Sequence, residues 1–269
     1  MSDEAPGRRT DAGKAAPRTT RRTRAELEQL LLAAGRELLV RDGITLGLDS
    51  ITFKRVFDHL EASRGIRVTY ASVIERIWRD QSAFHIGVVL SVLDQTFSDD
   101  PFFDESLQRM VTVATNADRS TPEGRWNALF EVCRVGADDN LMLLQNDVWW
   151  PLWLNVWTWL ATTAETPTTA VLAEALRKNY TASDDVYESL FSLFIRHLGF
   201  REAPGFTLAQ IDTMLAWSAE GAAIRQRVDP AALEPVPHDG QRWTPLGLSF
   251  KAIVMLALEL VPDWTPPDD

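Results

Sequence analysis

Apolar positions recur every three or four residues along most of this chain, a period that predicts helices rather than strands. Near the N-terminus the stripe runs through Leu27, Leu30, Leu31, Ala34, Leu38 and Leu39. Thr23 and Glu26 have capping-box spacing and Asp42-Gly43 marks a stop, so a helix is predicted over about 23–41. A second helix is predicted from Phe53, Val56, Phe57 and Leu60, with Asp49 or Ser50 as its cap. It breaks at Ser63-Arg64-Gly65, because glycine tolerates the left-handed backbone that ends a helix. Thr69 then occupies an N-cap position, and Val73, Ile74 and Ile77 supply the apolar stripe of a third helix. Tyr70, Ser72, Arg76 and Arg79 fall on or near its other side. A fourth helix is predicted from Asp80 or Gln81 through Phe84, Val88, Val89 and Val92 to Phe97.

A helix, a turn and a second helix with a polar, basic outer face is the layout of a helix-turn-helix DNA reader. Helical hairpins also occur in proteins that bind nothing, so the flanks matter. Residues 1–80 hold 15 Lys+Arg against 12 Asp+Glu, whereas the remaining residues hold 12 against 26. The net charge of −11 therefore conceals a basic front and an acidic rear, and only the front suits a polyanion. Residues 1–22 combine Gly, Pro, Thr and Ala with several arginines, a composition that builds no core. They read either as a solvated tail or as an arm that lies along phosphates or enters a minor groove.

The middle and rear are also helical by pattern. In DVWWPLWLNVWTWLA, Trp149, Trp153 and Trp157 recur every fourth residue and so share one helical face, with Pro151 in a first turn or at a kink. They are either core packing or the aromatic wall of a pocket for a small apolar ligand. Further on, Thr207 can cap a helix whose face includes Leu208, Ile211, Leu215, Ala219 and Ala222. A Pro-rich loop follows, and then a final helix over 244–261.

Candidate chemistry is sparse. His59, His85, His197 and His238 lack ligand spacing with each other or with Cys133, and no glycine-rich phosphate loop or Gly-x-Ser-x-Gly is present. Glu165, Glu174, Asp184 and Asp185 read as solvated helix faces or caps, so neither an enzyme nor a cofactor is expected. The single cysteine, Cys133, reads as a buried, inert thiol in a helix and fits a reducing, cytoplasmic setting. No apolar run approaches the ~20 residues of a membrane span, and the polar, Arg-rich N-terminus does not read as a secretory signal.

The N-terminal unit resembles the DNA-binding domain of the TetR family of transcriptional regulators. LLLAAGRELLVRDG is similar to the family's first helix and its terminal glycine, and Val68-Thr69 to the Val-Ser pair that leads into its recognition helix. Ser72 matches a small hydroxyl residue that touches phosphate, and RDQSAF resembles the segment opening helix four. Ile74 stands where the family has tyrosine and Gln81 where it has lysine, the inter-helix turn is several residues longer, and ERIW holds one extra residue. FTLAQIDTMLAWSAEGAAIRQRVDP resembles the family's penultimate helix, including the Glu220-Gly221 pair.

The resemblance implies an all-α protein with a three-helix helix-turn-helix domain over 23–80 and a larger helical domain over 81–269 for dimerisation and effector binding. It implies a homodimeric repressor that binds a double-stranded DNA operator and is released by a small apolar effector. Arg67, Thr69, Tyr70, Ser72 and Arg76 are the expected readers, with Arg64 and Arg79 near phosphates and Arg21 and Arg22 in the arm. Leu215, Gly221, Ala222, Ile253 and Leu256 are expected at the dimer interface, although the same two helices could be an internal hairpin of a monomer. The alternative is a helical ligand-binding or protein-interaction protein that has kept this fold without DNA recognition.

Overall fold

Thr23 and Glu26 start the first helix as their spacing predicts. In a computed structural model, which describes residues 22–42, 50–94 and 101–266, the Thr23 N–H donates to Glu26 Oε2 at 2.7 Å and the Glu26 N–H to Thr23 Oγ1 at 3.2 Å. The helix α1 spans Arg24–Asp42 and buries Leu31, Ala34, Leu38 and Leu39. α2 spans Phe53–Arg64, but its cap is neither Asp49, which lies outside the described residues, nor Ser50. Thr52 holds that place, its Oγ1 accepting from the Arg55 N–H at 3.3 Å. Gly65, at φ 62°, closes α2 in the left-handed conformation, and the Gly65 and Ile66 N–H groups satisfy the carbonyls of Glu61 and Leu60.

α3 covers Tyr70–Ile74 under a Thr69 cap. α4 covers Gln81–Leu93, with Asp80 Oδ1 accepting from the Ala83 N–H at 2.8 Å; Phe97 lies outside the described residues. Phe84 joins these elements, its ring centroid 5.0 Å from both Phe53 of α2 and Trp78. Gln81 adds a polar staple: its Oε1 accepts from the Phe53 N–H at 2.8 Å and its Nε2 donates to the Ile51 carbonyl at 2.6 Å. One of the free N–H groups at the start of α2 is thereby satisfied from α4. Gly35 lets α1 approach α4, since a Cβ there would meet Val88 Cγ2 at 2.7 Å.

The rest is a helical layer built around α6, Pro122–Asn146, which packs against α5 (Pro101–Asn116), α9 (Leu208–Val228) and α10 (Pro245–Ala257). α7 (Trp150–Thr162) and α8 (Pro167–His197) cover another side. Thr121, Thr166 and Thr244 cap α6, α8 and α10, each followed by a proline in the first turn. Thr207 caps α9 in a capping box with Gln210, as expected. Leu129, Leu172, Ile195, Leu198, Ile211 and Val254 are fully buried between these helices. Asn179 of α8 donates from Nδ2 to the Leu93 carbonyl at 2.7 Å, tying the body to the end of α4.

The structure is mostly helical, with ten α-helices among the described residues. The final helix nevertheless stops at Ala257 and not at 261. Leu258–Leu260 forms a strand, β4, antiparallel to β1 (Phe200–Glu202). Gly199, at φ 72°, turns the chain out of α8, and its carbonyl accepts from the Val261 N–H at 2.9 Å. That pairing replaces helical bonds while Leu258 stays buried. The loop before α10 holds a second ribbon, β2 (Val236–His238) against β3 (Gln241–Trp243). Asp239 and Gly240 close it with φ 49° and 76°, as a two-residue hairpin turn requires. Among the described residues, no helix is long and apolar enough to cross a membrane.

Candidate functional site

Two regions bring the sequence-predicted residues together, and they differ in chemistry. The first is the outer face of α2, its turn and α3. Thr69 Oγ1 accepts from the Ser72 N–H at 3.4 Å. The Ser72 hydroxyl donates back to the Thr69 carbonyl at 2.6 Å, so its proton is held in the cap and not offered to a phosphate. Tyr70 is exposed, with its ring edge against Phe53 at 5.6 Å. Arg64 pairs with Glu37, Arg67 Nε with Glu61 at 2.7 Å, and Arg79 Nε with Asp80 at 3.0 Å. Three of the expected DNA contacts are therefore ion-paired within the domain. Arg76 is exposed and makes no side-chain ion pair or hydrogen bond among the described residues. Arg22 is exposed just before α1, and Arg21 lies outside the described residues.

The expected recognition helix is shorter than its sequence pattern. After Ile74 the chain makes one more turn, and the Val73 carbonyl accepts from the Arg76, Ile77 and Trp78 N–H groups. Trp78 then turns inward, buried against Phe84 and Gly87. Burial of this indole pulls ERIW out of the helix, and Ile77 is only half-buried.

The second region is a pair of adjoining cavities in the body, of about 140 and 80 Å³. Asn140, Tyr187, Asp212 and Ala216 line both. The larger is apolar, with Phe103, Met110, Phe191, Phe194 and Phe250 among its walls. The smaller has Trp150, Trp153, Tyr180 and Tyr187 together with Asp184, Asp212 and Glu220. The expected tryptophan row divides here. Trp153 is 4% exposed and lines the smaller cavity, whereas Trp157 is 48% exposed and donates from Nε1 to Tyr180 Oη at 2.8 Å. Trp149 is the half-buried residue before α7 and lines neither cavity. Its place is taken by Trp150, because α7 starts there and its buried face runs through Trp150, Trp153 and Val156.

The acidic groups here were missed as site residues. Asp212 lies on the inner face of α9, 8% exposed, with no hydrogen bond or ion pair among the described residues. Burial pushes its carboxyl up to about 7, and the negative Asp184 and Glu188 add to the rise. Burial likewise raises Glu220, although the Tyr180 hydroxyl donates to its Oε1 at 3.0 Å and opposes the shift. Asp184 is exposed, as expected of a solvated group, at the smaller cavity's edge, and its carboxyl is raised by partial burial first and by Asp185 and Glu188 next. Burial and then Asp212 push the Tyr187 hydroxyl up to about 12. The indole N–H of Trp150 is buried without a partner among the described residues. A signal existed in the sequence: Asp212 stands four residues after Leu208 and beside Ile211, inside the stripe that the pattern marks as buried.

Burial pushes Cys133, in the larger cavity's wall, up to about 12, which leaves an inert thiol. Among the described residues no group of three His, Cys, Asp or Glu side chains could hold a metal ion. The expected dimer face also divides. Leu215, Ala222 and Ile253 are half-buried against the core, because α9 and α10 pack on each other and on α6. Gly221 and Leu256 are exposed, alongside Trp217, Ile224, Val228 and Met255. Comparison with protein-family models, with curated proteins and with solved structures finds no match to the chain.

Proposed function

We propose that the chain is a sequence-specific DNA-binding transcriptional regulator, a homodimeric repressor whose affinity for its operator a small ligand lowers. The observation that carries this reading is the α2–turn–α3 unit, capped at Thr52 and Thr69, closed at Gly65, and presenting Tyr70 and Arg76 to solvent. In this reading the chain is a divergent relative of TetR-type regulators. Arg76 reads a base edge or a phosphate, and Arg64, Arg67 and Arg79 exchange their carboxylate partners for phosphates. Exposed ion pairs of this kind are worth only about 0–1 kcal/mol, so the exchange costs little. The proposed subunit contact is the apolar face of α9 and α10 around Trp217, which is 68% exposed, and Leu256, which is 66% exposed. Monomers rarely leave large contiguous apolar patches uncovered.

A ligand acts on DNA affinity only if it binds the two states of the protein differently. Asn179 supports a route, since it lines the smaller cavity and donates to the Leu93 carbonyl where α4 leaves the DNA-binding unit. A ligand that moved α8 would act on that bond. Titration of generic duplex DNA at two salt concentrations tests the reading. Affinity that falls steeply with added salt is expected, as counterion release requires. Absence of binding at low salt contradicts it.

The pairing of three of the four arginines near α3 favours a second reading, a ligand-binding helical protein that has lost DNA recognition. In that case the cavities bind their ligand and no duplex binds at any salt concentration.

A further inference from the structure

We infer that the two adjoining cavities between α5, α6, α7, α8, α9 and α10 bind a small organic ammonium ion, with its charged head beside Asp212 in the acid-lined smaller cavity and its apolar tail against the phenylalanines of the larger one. The inference deepens the effector-site part of the proposed function. Its test involves no DNA, so failure here and failure of operator binding are separate results.

Charge is the first argument. Asp184, Asp212 and Glu220 line the smaller cavity, and no Lys, Arg or His lines either one. Asp212 is 8% exposed and has no donor among the described residues. A carboxylate buried without a partner is costly, and a protein retains one where something else supplies the counter-charge. Glu220 is only partly satisfied, by the Tyr180 hydroxyl at 3.0 Å.

The walls supply the second, independent argument. Trp150, Trp153, Tyr180 and Tyr187 line the same cavity as these carboxylates. The Trp153 and Tyr180 rings meet edge to face with centroids 5.9 Å apart, which fixes part of the box. Aromatic faces attract an organic cation through their quadrupoles and give its alkyl groups the apolar contact that water does not. They offer nothing to a hard divalent cation, which needs several oxygen ligands. The described carboxylates do not converge into a set that could hold one.

Size sets the tail. An apolar cavity of roughly 150 Å³ accepts benzene, and the larger cavity here is about 140 Å³. The smaller, about 80 Å³, lies alongside and shares Asp212 and Tyr187 with it. One aromatic ring and a compact ammonium head match this pair.

The test uses the full-length protein with benzyltrimethylammonium and its neutral isostere neopentylbenzene, followed by calorimetry and tryptophan fluorescence. The cation is expected to bind at least tenfold more tightly and to change the emission of Trp150 and Trp153. Asp212→Asn is expected to weaken the cation tenfold or more and to leave the isostere unchanged. Glu220→Gln, a second variant, is expected to weaken the cation in the same direction, and the wild-type comparison needs no variant at all. Equal binding of the two probes, binding of neither, or unchanged cation binding by a folded Asp212→Asn protein would overturn the inference. So would displacement of the cation by millimolar magnesium at constant ionic strength, which would assign the carboxylates to a metal ion.

Discussion

Arg76 is exposed and unpaired among the described residues, whereas Arg64, Arg67 and Arg79 each hold a carboxylate. It is therefore the arginine near α3 that would break no ion pair on meeting DNA, as the proposed function requires. Arg76→Ala is expected to cost about 1–3 kcal/mol on a selected operator if the guanidinium reads a base, and a similar amount on every duplex if it meets a phosphate. Anisotropy titrations on operator and scrambled duplex separate the two cases. Asp212 gives a prediction at the same scale. Its folded pKa is raised to about 7, against roughly 3.9 in an unfolded chain. The folded protein therefore keeps this proton at pH values where the unfolded chain has released it. The cost to stability is absent below about pH 4, grows towards pH 7 and then levels off. The ionisable groups around it, Asp184, Tyr187 and Glu188 of α8 and Glu220 of α9, are acids and do not reverse the sign. Asp212→Asn should thus stabilise the protein by about 1–3 kcal/mol near pH 8 and leave it unchanged near pH 3.5, read by chemical unfolding. The pattern marked the position as buried, but not that an acid there would face a cavity, because an apolar stripe says nothing of what lies opposite it.

At the scale of elements, most helix caps and stops were legible from local chemistry. Thr23-Glu26, Gly65, Thr69, Asp80 and Thr207 do what their types and spacings dictate, and so α1, α2, α4 and α9 begin or end where expected. The exceptions are the cap of α2, which is Thr52 and not Asp49 or Ser50, and elements decided by distant partners. β4 exists because β1, some 58 residues earlier in the chain, offers it hydrogen bonds. α3 is cut short because Trp78 finds a place between Phe84 and Gly87. The β2–β3 hairpin did have a local mark, Asp239-Gly240, inside a loop dominated by prolines. Gly35 tests the seat of α1 on α4. Gly35→Val drives a side chain into Val88 and Phe84, and overpacking of this kind costs about 1–3 kcal/mol. A thermal midpoint equal to that of the parent protein would mean that α1 shifts freely.

For the whole molecule, a mostly helical fold was readable from periodicity, but the two strand pairs and the assembly were not, since a helix pair has the same pattern inside a monomer or between two. The structure sorts the candidates: Leu215, Ala222 and Ile253 belong partly to the core, while Gly221 is exposed, and an added Cβ there would meet nothing beyond its own stretch of helix within 4 Å. Gly221→Arg is consequently expected to leave the subunit folded and to convert dimers to monomers in sedimentation. A wild-type protein that sediments as a monomer at micromolar concentration contradicts the proposed assembly. The central claim, that this fold reads DNA sequence, is tested most directly by selecting bound fragments from a random duplex pool with the full-length protein. The expected result is enrichment of one site with two-fold symmetry, bound with salt-dependent affinity and lost in the Tyr70→Ala, Ser72→Ala, Arg76→Ala triple variant. A pool that stays random after repeated rounds, with protein shown to be folded, would contradict it.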